Sequence, residues 1–322
     1  MARYLTVGSL CESTFGTAPG GQTFVAQRAK SVGLTVDRQP LTEENIESYI
    51  VAAAYGGALK ITGTIEGNMR PKSMATFLLS VMGASAAYTT TVVSGITLAG
   101  GTKYTLAYPQ PMEFKAGEST FGGSKEYDFV GVGLKNLKMT FNAKELVTAS
   151  YDYFAKNFTI GTYTAPTAAD YAAEDPVTFY TAHIYLGGVV VAKIKSLDLN
   201  IDRKSDDDRF VVGEFTLAEV GITGMTEISG TMTFTEQEYN MLQLAMTGAT
   251  NNTSIPVNNP LGQMALDIFC YDLSNPAVVK MCVHLGNIAM KDADSTMQGQ
   301  TPIDKKVSYQ ATGSDVIIYV ET

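Results

Sequence analysis

His183 and His284 are the only histidines in the chain. Histidine titrates near neutral pH and is the commonest metal ligand, so these two are weighed first for chemistry. Each falls in a strand-like segment with no cysteine or carboxylate at ligand spacing, and both read as satisfied strand histidines. Asp206-Asp207-Asp208 after Ser205 has the look of a calcium-loop fragment. It lacks the glycine turn and the distal bidentate glutamate, so a solvated turn is expected. Gly131 and Gly133 follow a strand, but no third glycine and no opening helix complete a dinucleotide fingerprint. Cys11, Cys270 and Cys282 cannot all pair and form no CxxC, which suits small buried hydrophobes in a reducing compartment. GxSxG, HExxH and P-loop motifs are absent, and nothing singles out a carboxylate pair. The expectation is a protein with no catalytic residue, no metal ligand and no cofactor.

The elements that would position any such residue are β-strands arranged in two copies. Phe24–Arg38 (FVAQRAKSVGLTVDR) returns as Val189–Arg203 (VVVAKIKSLDLNIDR), with Ser31 matching Ser196 at 196 − 31 = 165. Leu59–Ile65 returns as Thr226–Met232 at 226 − 59 = 167, and the glycines that end the following helices, Gly83 and Gly248, lie 165 apart. Val132–Met139 aligns with Val283–Met290 at 283 − 132 = 151. Repetition at this length indicates two tandem copies of one domain, not a solenoid. The chain of 322 residues has room for both, and 45% hydrophobic with 17% charged residues describes a globular protein.

Within each copy the strands alternate. Val32, Leu34 and Val36 oppose Ser31, Gly33, Thr35 and Asp37; Leu197, Leu199 and Ile201 oppose Ser196, Asp198, Asn200 and Asp202. Leu59, Ile61 and Ile65 lie opposite Lys60, Thr62, Thr64 and Glu66. One apolar and one polar face is the pattern of a two-layer antiparallel β structure. The candidate polar strand residues, facing a pore or the surface, are Thr62, Thr64, Glu66, Asp198, Asn200, Asp202 and Glu227. One helix is predicted from Pro71, with Met74, Phe77, Leu78 and Val81 as its buried stripe and Gly83 as its stop. The other opens on a Thr235/Glu238 capping box inside a Phe234/Tyr239 staple and buries Leu242, Ala245 and Met246.

The predicted organisation is an arm over 1–20, a first domain over 21–163, a linker over 164–176 and a second domain over 177–322. The first domain contains a long aromatic loop, 84–128. Tyr88, Tyr104, Tyr108, Phe114 and Phe121 make that loop a candidate contact between subunits, set against packing on its own domain. Met1–Thr6 lacks an apolar signal region and no run is long enough to span a bilayer, so synthesis in the cytoplasm without a membrane partner is expected. The net charge of −9 with scattered cations excludes a surface that grips phosphates.

Taken together, Glu12–Pro19 (ESTFGTAP), Gly63–Pro71 (GTIEGNMRP) leading into Phe77-Leu78-Leu79, Val132–Met139 (VGLKNLKM) and Leu186-Gly187-Gly188 resemble the tail tube proteins of long-tailed bacteriophages. The resemblance implies a mainly β protein of two tandem β-sandwich or barrel-like domains, each with one short flanking helix. It also implies a structural role in the virion tail: homo-oligomeric rings that stack into a hollow tube for DNA passage into the host. Three duplicated chains would make a pseudo-sixfold ring, with a homohexamer as the alternative. Tape-measure, tail-tip and tail-terminator proteins are the implied partners, with double-stranded DNA in transient, non-specific passage. The rival reading, a non-enzymatic adhesin or carbohydrate-binding β-sandwich, expects exposed aromatic platforms, and the chain has no tryptophan.

Overall fold

The computed structural model describes residues 4–19, 24–39, 41–43, 53–120, 123–162, 174–191, 194–212, 214–234, 263–295 and 305–321. The first copy contains β1 (Tyr4–Cys11), β2 (Val25–Val32), β3 (Thr35–Arg38), β4 (Leu41–Glu43), β5 (Ala53–Tyr55), β6 (Leu59–Asn68), α1 (Ala75–Met82), β7 (Gly83–Tyr88), β8 (Thr91–Val93), β9 (Ile96–Leu98), β10 (Gly101–Leu106), β11 (Met112–Thr120), β12 (Gly123–Asn142) and β13 (Thr148–Thr162). The second contains β14 (Ala182–Leu186), β15 (Val189–Val190), β16 (Ile194–Asp202), β17 (Ser205–Asp206), β18 (Gly221–Ile222), β19 (Glu227–Phe234), β20 (Gln263–Tyr271), β21 (Val279–Ser295), β22 (Lys305–Ala311) and β23 (Val316–Glu321). The protein is mainly β, and every strand pair among the described residues is antiparallel.

In the first copy β1 pairs with β2 and β11, β11 with β12, β12 with β13, β13 with β6, and β6 with β2. That circuit closes a barrel, which consumes strand edges that would otherwise remain unpaired. The second copy repeats it: β14 pairs with β15 and β20, β20 with β21, β21 with β22, β22 with β19, and β19 with β16, the continuation of β15.

Three of the register breaks repeat. The β2–β6 register breaks at Lys30 and the β16–β19 register at Lys195. The β11–β12 pair breaks at Glu113 and the β20–β21 pair at Ala265; β12–β13 breaks at Lys135 and β21–β22 at Lys291. Bulges add local twist and re-aim side chains, so matched bulges give matched barrels. A matched lock accompanies them. The buried Tyr153 hydroxyl crosses Gly63 and donates to the Gly33 carbonyl at 2.8 Å; the buried Tyr309 hydroxyl crosses Gly230 and donates to the Asp198 carbonyl at 2.8 Å.

These landmarks correct the third sequence alignment. Lys135 and Lys291, and Tyr153 and Tyr309, are equivalent at 291 − 135 = 156, five more than the 151 read from aliphatic alternation. An alternating strand slides on its twin with little loss of apparent match, and only a bulge or a cross-strand lock reports the true register. Two further expectations are corrected. Tyr4–Cys11 is a barrel strand, not an arm, and occupies the place of β14; Gly8 at its centre brings it against Phe24. The predicted loop 84–128 is built of strands β7 to β11 and the start of β12, and β11 is the barrel counterpart of β20.

The copies are welded together. Past the end of β11, Asn136–Asn142 of β12 pair with Ser196–Asp202 of β16, and β10 pairs with β23. One buried cluster runs from Val7 to Val320 through both. Helix α1 lies on this core with Met74, Phe77, Leu78 and Val81 buried, and Gly83 ends it in the left-handed conformation at φ 94°. Pro71 sits in the turn before the helix. The capping acceptor there is distant in sequence: the Glu174 carboxylate takes the Lys72 amide at 3.0 Å and the Ser73 amide at 3.4 Å. Residues 235–262, with the second predicted helix, and 164–173 of the predicted linker lie outside the described residues.

Candidate functional site

All seven polar strand residues nominated from the sequence fall on one face of a single sheet. Its strand order is β2/β3, β6, β13, β12, β16, β19, β22, β21, eight positions spanning both copies. Directly opposed residues of antiparallel strands point to the same side, so the register groups the side chains into rows. One row reads Thr64, Asp152, Asn136, Asp202, Glu227; the next reads Glu66, Ser150, Lys138, Asn200, Ser229, Gln310. A third reads Asn68, Thr148, Thr140, Asp198, Thr231, Ser308. The opposite face, with Ile61, Ile65, Tyr151, Leu137, Met139, Leu199, Ile201, Met232 and Val307, is buried.

The rows are cross-linked. Asp152 accepts from the Thr64 hydroxyl at 2.9 Å and the Asn136 amide at 2.6 Å, and Thr231 donates to Asp198 at 3.3 Å. Lys204 reaches Asp202 at 2.5 Å and Glu227 at 3.3 Å, and the hydrogen bonds it donates to these two raise its pKa. Asp152, Asn136, Ser150 and Lys138 join this face beyond the seven candidates, and Thr148–Asp152 and Asn136–Thr140 show the same alternation. Thr62 lies at one end of the face, opposite Phe154 of β13, which is buried against Leu217 and Val220.

That end is covered by the segment holding Asp206-Asp207-Asp208, which is not the solvated turn expected. Asp207 bridges Lys60 at 3.0 Å and Lys135 at 2.5 Å, both in the first copy. Burial opposes ionisation of Asp207, but the hydrogen bonds from Lys135 and Lys60 outweigh it and hold its pKa below the usual range.

The aromatic candidates separate. Tyr104 and Phe114 are core residues, and Phe114 stacks on Phe129 at 4.4 Å, so neither can reach another chain. Tyr88 packs edge-on against Tyr319 at 5.2 Å. Tyr108 is exposed with its hydroxyl on the Val220 carbonyl, and Phe121 lies outside the described residues.

His284 is not the isolated histidine read from the sequence. Its Nδ1 lies 2.5 Å from the fully buried Asp267, its Nε2 lies 3.5 Å from Asp315, and Asp267 also accepts from Ser94 in the β8–β9 turn. Ser94 bonds the carboxylate rather than the imidazole, so the trio lacks the nucleophile–base contact of acyl-transfer chemistry. It clamps the β8–β9 hairpin onto the second barrel. The His183 ring packs against Tyr271 in a tilted arrangement, centroids 4.8 Å apart. Among the described residues no group of three His, Cys, Asp or Glu is placed to hold a metal. Burial raises the thiol pKa values of Cys11 to about 11 and Cys270 to about 12, which leaves both unreactive near neutral pH.

The hydrogen bond to Asp267 raises the His284 pKa above 6.5. The native state therefore holds this proton more tightly, and the stabilisation is complete below about pH 6.5 and lost as pH rises through the native value. Relative to His284→Gln, the wild type should melt about 3–6 °C higher at pH 5.5, from a charge-assisted bond of about 1.5–3 kcal/mol. The gap should narrow as pH increases; a gap that widens would sink this assignment.

No curated protein sequence matches the chain. The model of the phage tail tube protein family matches residues 6–311, a span that takes in both barrels and the shared sheet. The chain belongs to the phage tail tube protein family.

Proposed function

We propose that this chain is the structural subunit of a virion tail tube, with the polar face of the eight-position sheet as the wall of the channel. The observation that carries this reading is the continuity of that face across both copies, with a core behind it and hydroxyl, amide and carboxylate groups in front. Two tube domains per chain, one built from β1 to β13 and the other from β14 to β23, set three chains around a pseudo-sixfold axis, and the rings stack. Tape-measure, tail-tip and tail-terminator proteins are the partners at and within such a tube.

The wall suits transit. Among the described side chains of the face, the carboxylates Glu66, Asp152, Asp198, Asp202 and Glu227 outnumber Lys60, Lys138, Lys204 and Lys306, and Lys204 is already engaged by two of them. A phosphate backbone finds no cation cluster on which to release counterions, so DNA slides. Three chains carry 3 × −9 = −27.

Reversing Asp198, Asp202 and Glu227 to lysine adds six charges per chain, taking three chains from −27 to −27 + 18 = −9 and concentrating the change on the wall. Tubes of this variant should form in electron micrographs but eject DNA more slowly, with the delay relieved by salt. Ejection at the wild-type rate from intact mutant tubes would overturn the wall assignment. Native mass measurement of the ring distinguishes three chains from six.

A further inference from the structure

The duplication leaves one half of a junction unused. In the second copy, the β16 strand is buried on one side by the first copy: Leu199 and Ile201 are fully buried where Ser196–Asp202 pair with Asn136–Asn142 of β12. Arg203, next in the chain, is also buried, and its guanidinium donates to the Ala107 carbonyl of the first copy. Their counterparts at an offset of 165 are Leu34, Val36 and Arg38, on and beside β3. All three are exposed, Leu34 at 37% and Val36 at 42%. β3 pairs with β6 as β16 pairs with β19, so the fold at the twin positions is the same and only the neighbour differs.

The neighbour's twin is unused as well. The stretch of β12 that receives β16 begins immediately after the Lys135 bulge, and its counterpart begins after the Lys291 bulge of β21. There Asp292–Ser295 pair with β22 on one side, and among the described residues no strand pairs with their other edge. The same holds for the outer edge of β3. Within one chain these two edges belong to opposite ends of the eight-position sheet.

We propose that the outer edge of β3 in one chain receives the Asp292–Ser295 edge of β21 from a second copy of this chain, in the register of the internal β12–β16 junction. Carrying that register across places Asp37 opposite Asp292, Val36 opposite Ala293, Thr35 opposite Asp294 and Leu34 opposite Ser295. The intermolecular seam thereby repeats the intramolecular one, which is the condition for a ring in which every barrel has equivalent neighbours. The seam covers Leu34 and Val36 and supplies partners for two rows of strand amides and carbonyls. Because positions 37 and 292 are both aspartate, Asp292→Asn should strengthen association at low salt. This proposal rests on the tube reading and specifies which edges make the ring.

The test uses the full chain. Directly opposed strand positions have Cα atoms about 4.5–5.5 Å apart, within disulfide reach. Val36→Cys combined with Ala293→Cys should therefore give covalent dimers and trimers on mild oxidation. Val36→Cys alone, and Val36→Cys with Asp294→Cys, should give none. Rings or tubes that assemble without this cross-link, or that cross-link equally through position 294, overturn the seam while leaving the tube reading intact. Should the double variant fail to assemble, amide exchange on the wild-type chain decides: residues 32–38 gain protection on assembly if the seam is right and exchange as in the monomer if it is wrong. A wild-type chain that stays monomeric at every concentration sinks the tube reading and the seam together.

Discussion

Gly230→Val is expected to cost roughly 3–5 kcal/mol and to leave little cooperatively folded protein, because two penalties fall on one atom. A Cβ at this position would overlap the Asp198 carbonyl on the neighbouring strand and the Tyr309 hydroxyl that donates to it. Overpacking a filled site costs about 1–3 kcal/mol, and orphaning a buried carbonyl and hydroxyl costs about 1–3 kcal/mol more. Against a total stability of about 5–15 kcal/mol, that sum is a large fraction. Gly63→Val should behave alike, since its Cβ would meet the Gly33 carbonyl and the Tyr153 hydroxyl. The graded variants Tyr309→Phe and Tyr153→Phe keep the ring and remove only the bond. Each should lose about 1–2 kcal/mol, read as a drop in the urea midpoint at constant slope. Equal losses at the twin positions are the quantitative content of the duplication. A Gly230→Val protein with wild-type melting would show that the lock does not exist.

Ile201→Asp is expected to destabilise the isolated chain by about 3–5 kcal/mol, whereas Val36→Asp, at the equivalent position of the first copy, should change it by no more than about 0.5 kcal/mol. Ile201 is fully buried opposite Leu137 at the seam between the copies, where a carboxylate is shut off from water. Val36 is 42% exposed, so the same carboxylate keeps most of its hydration. The consequence for assembly runs the other way: Val36→Asp should abolish self-association of a chain that folds normally. Chemical denaturation of dilute protein reports the first quantity and sedimentation of concentrated protein the second. Comparable destabilisation at both positions would mean that the free chain already covers β3.

Much of the site was legible because alternation is a local signal. The period-two pattern at Asp198, Asn200 and Asp202, and at Thr62, Thr64 and Glu66, needs only neighbours in the chain, and these residues do share one face. The stripe of α1 and its glycine stop were readable for the same reason. The readings that failed all required knowledge of a remote partner. Tyr104 and Phe114 look like interface aromatics until β11 is seen to line a barrel, and His284 looks isolated until the strand register sets it opposite Asp267. Tyr4–Cys11 has a weak strand pattern because Gly8 and Ser9 serve close packing rather than alternation.

From its sequence alone this protein could be read as a duplicated, acidic, antiparallel β chain with a polar strand face and a marked helix in each copy, of which α1 lies within the described residues, since composition and short-range periodicity are properties of the covalent chain. Tertiary structure alone decided that the copies close into barrels, that their true offset at β12 is 156 and not 151, and that one sheet runs through both. The physical reason is that hydrogen-bonded register is a long-range choice. An alternating strand matches many partners equally well in its own residues, and only the bulges, the tyrosine locks and the seam at Asn136–Asn142 select one.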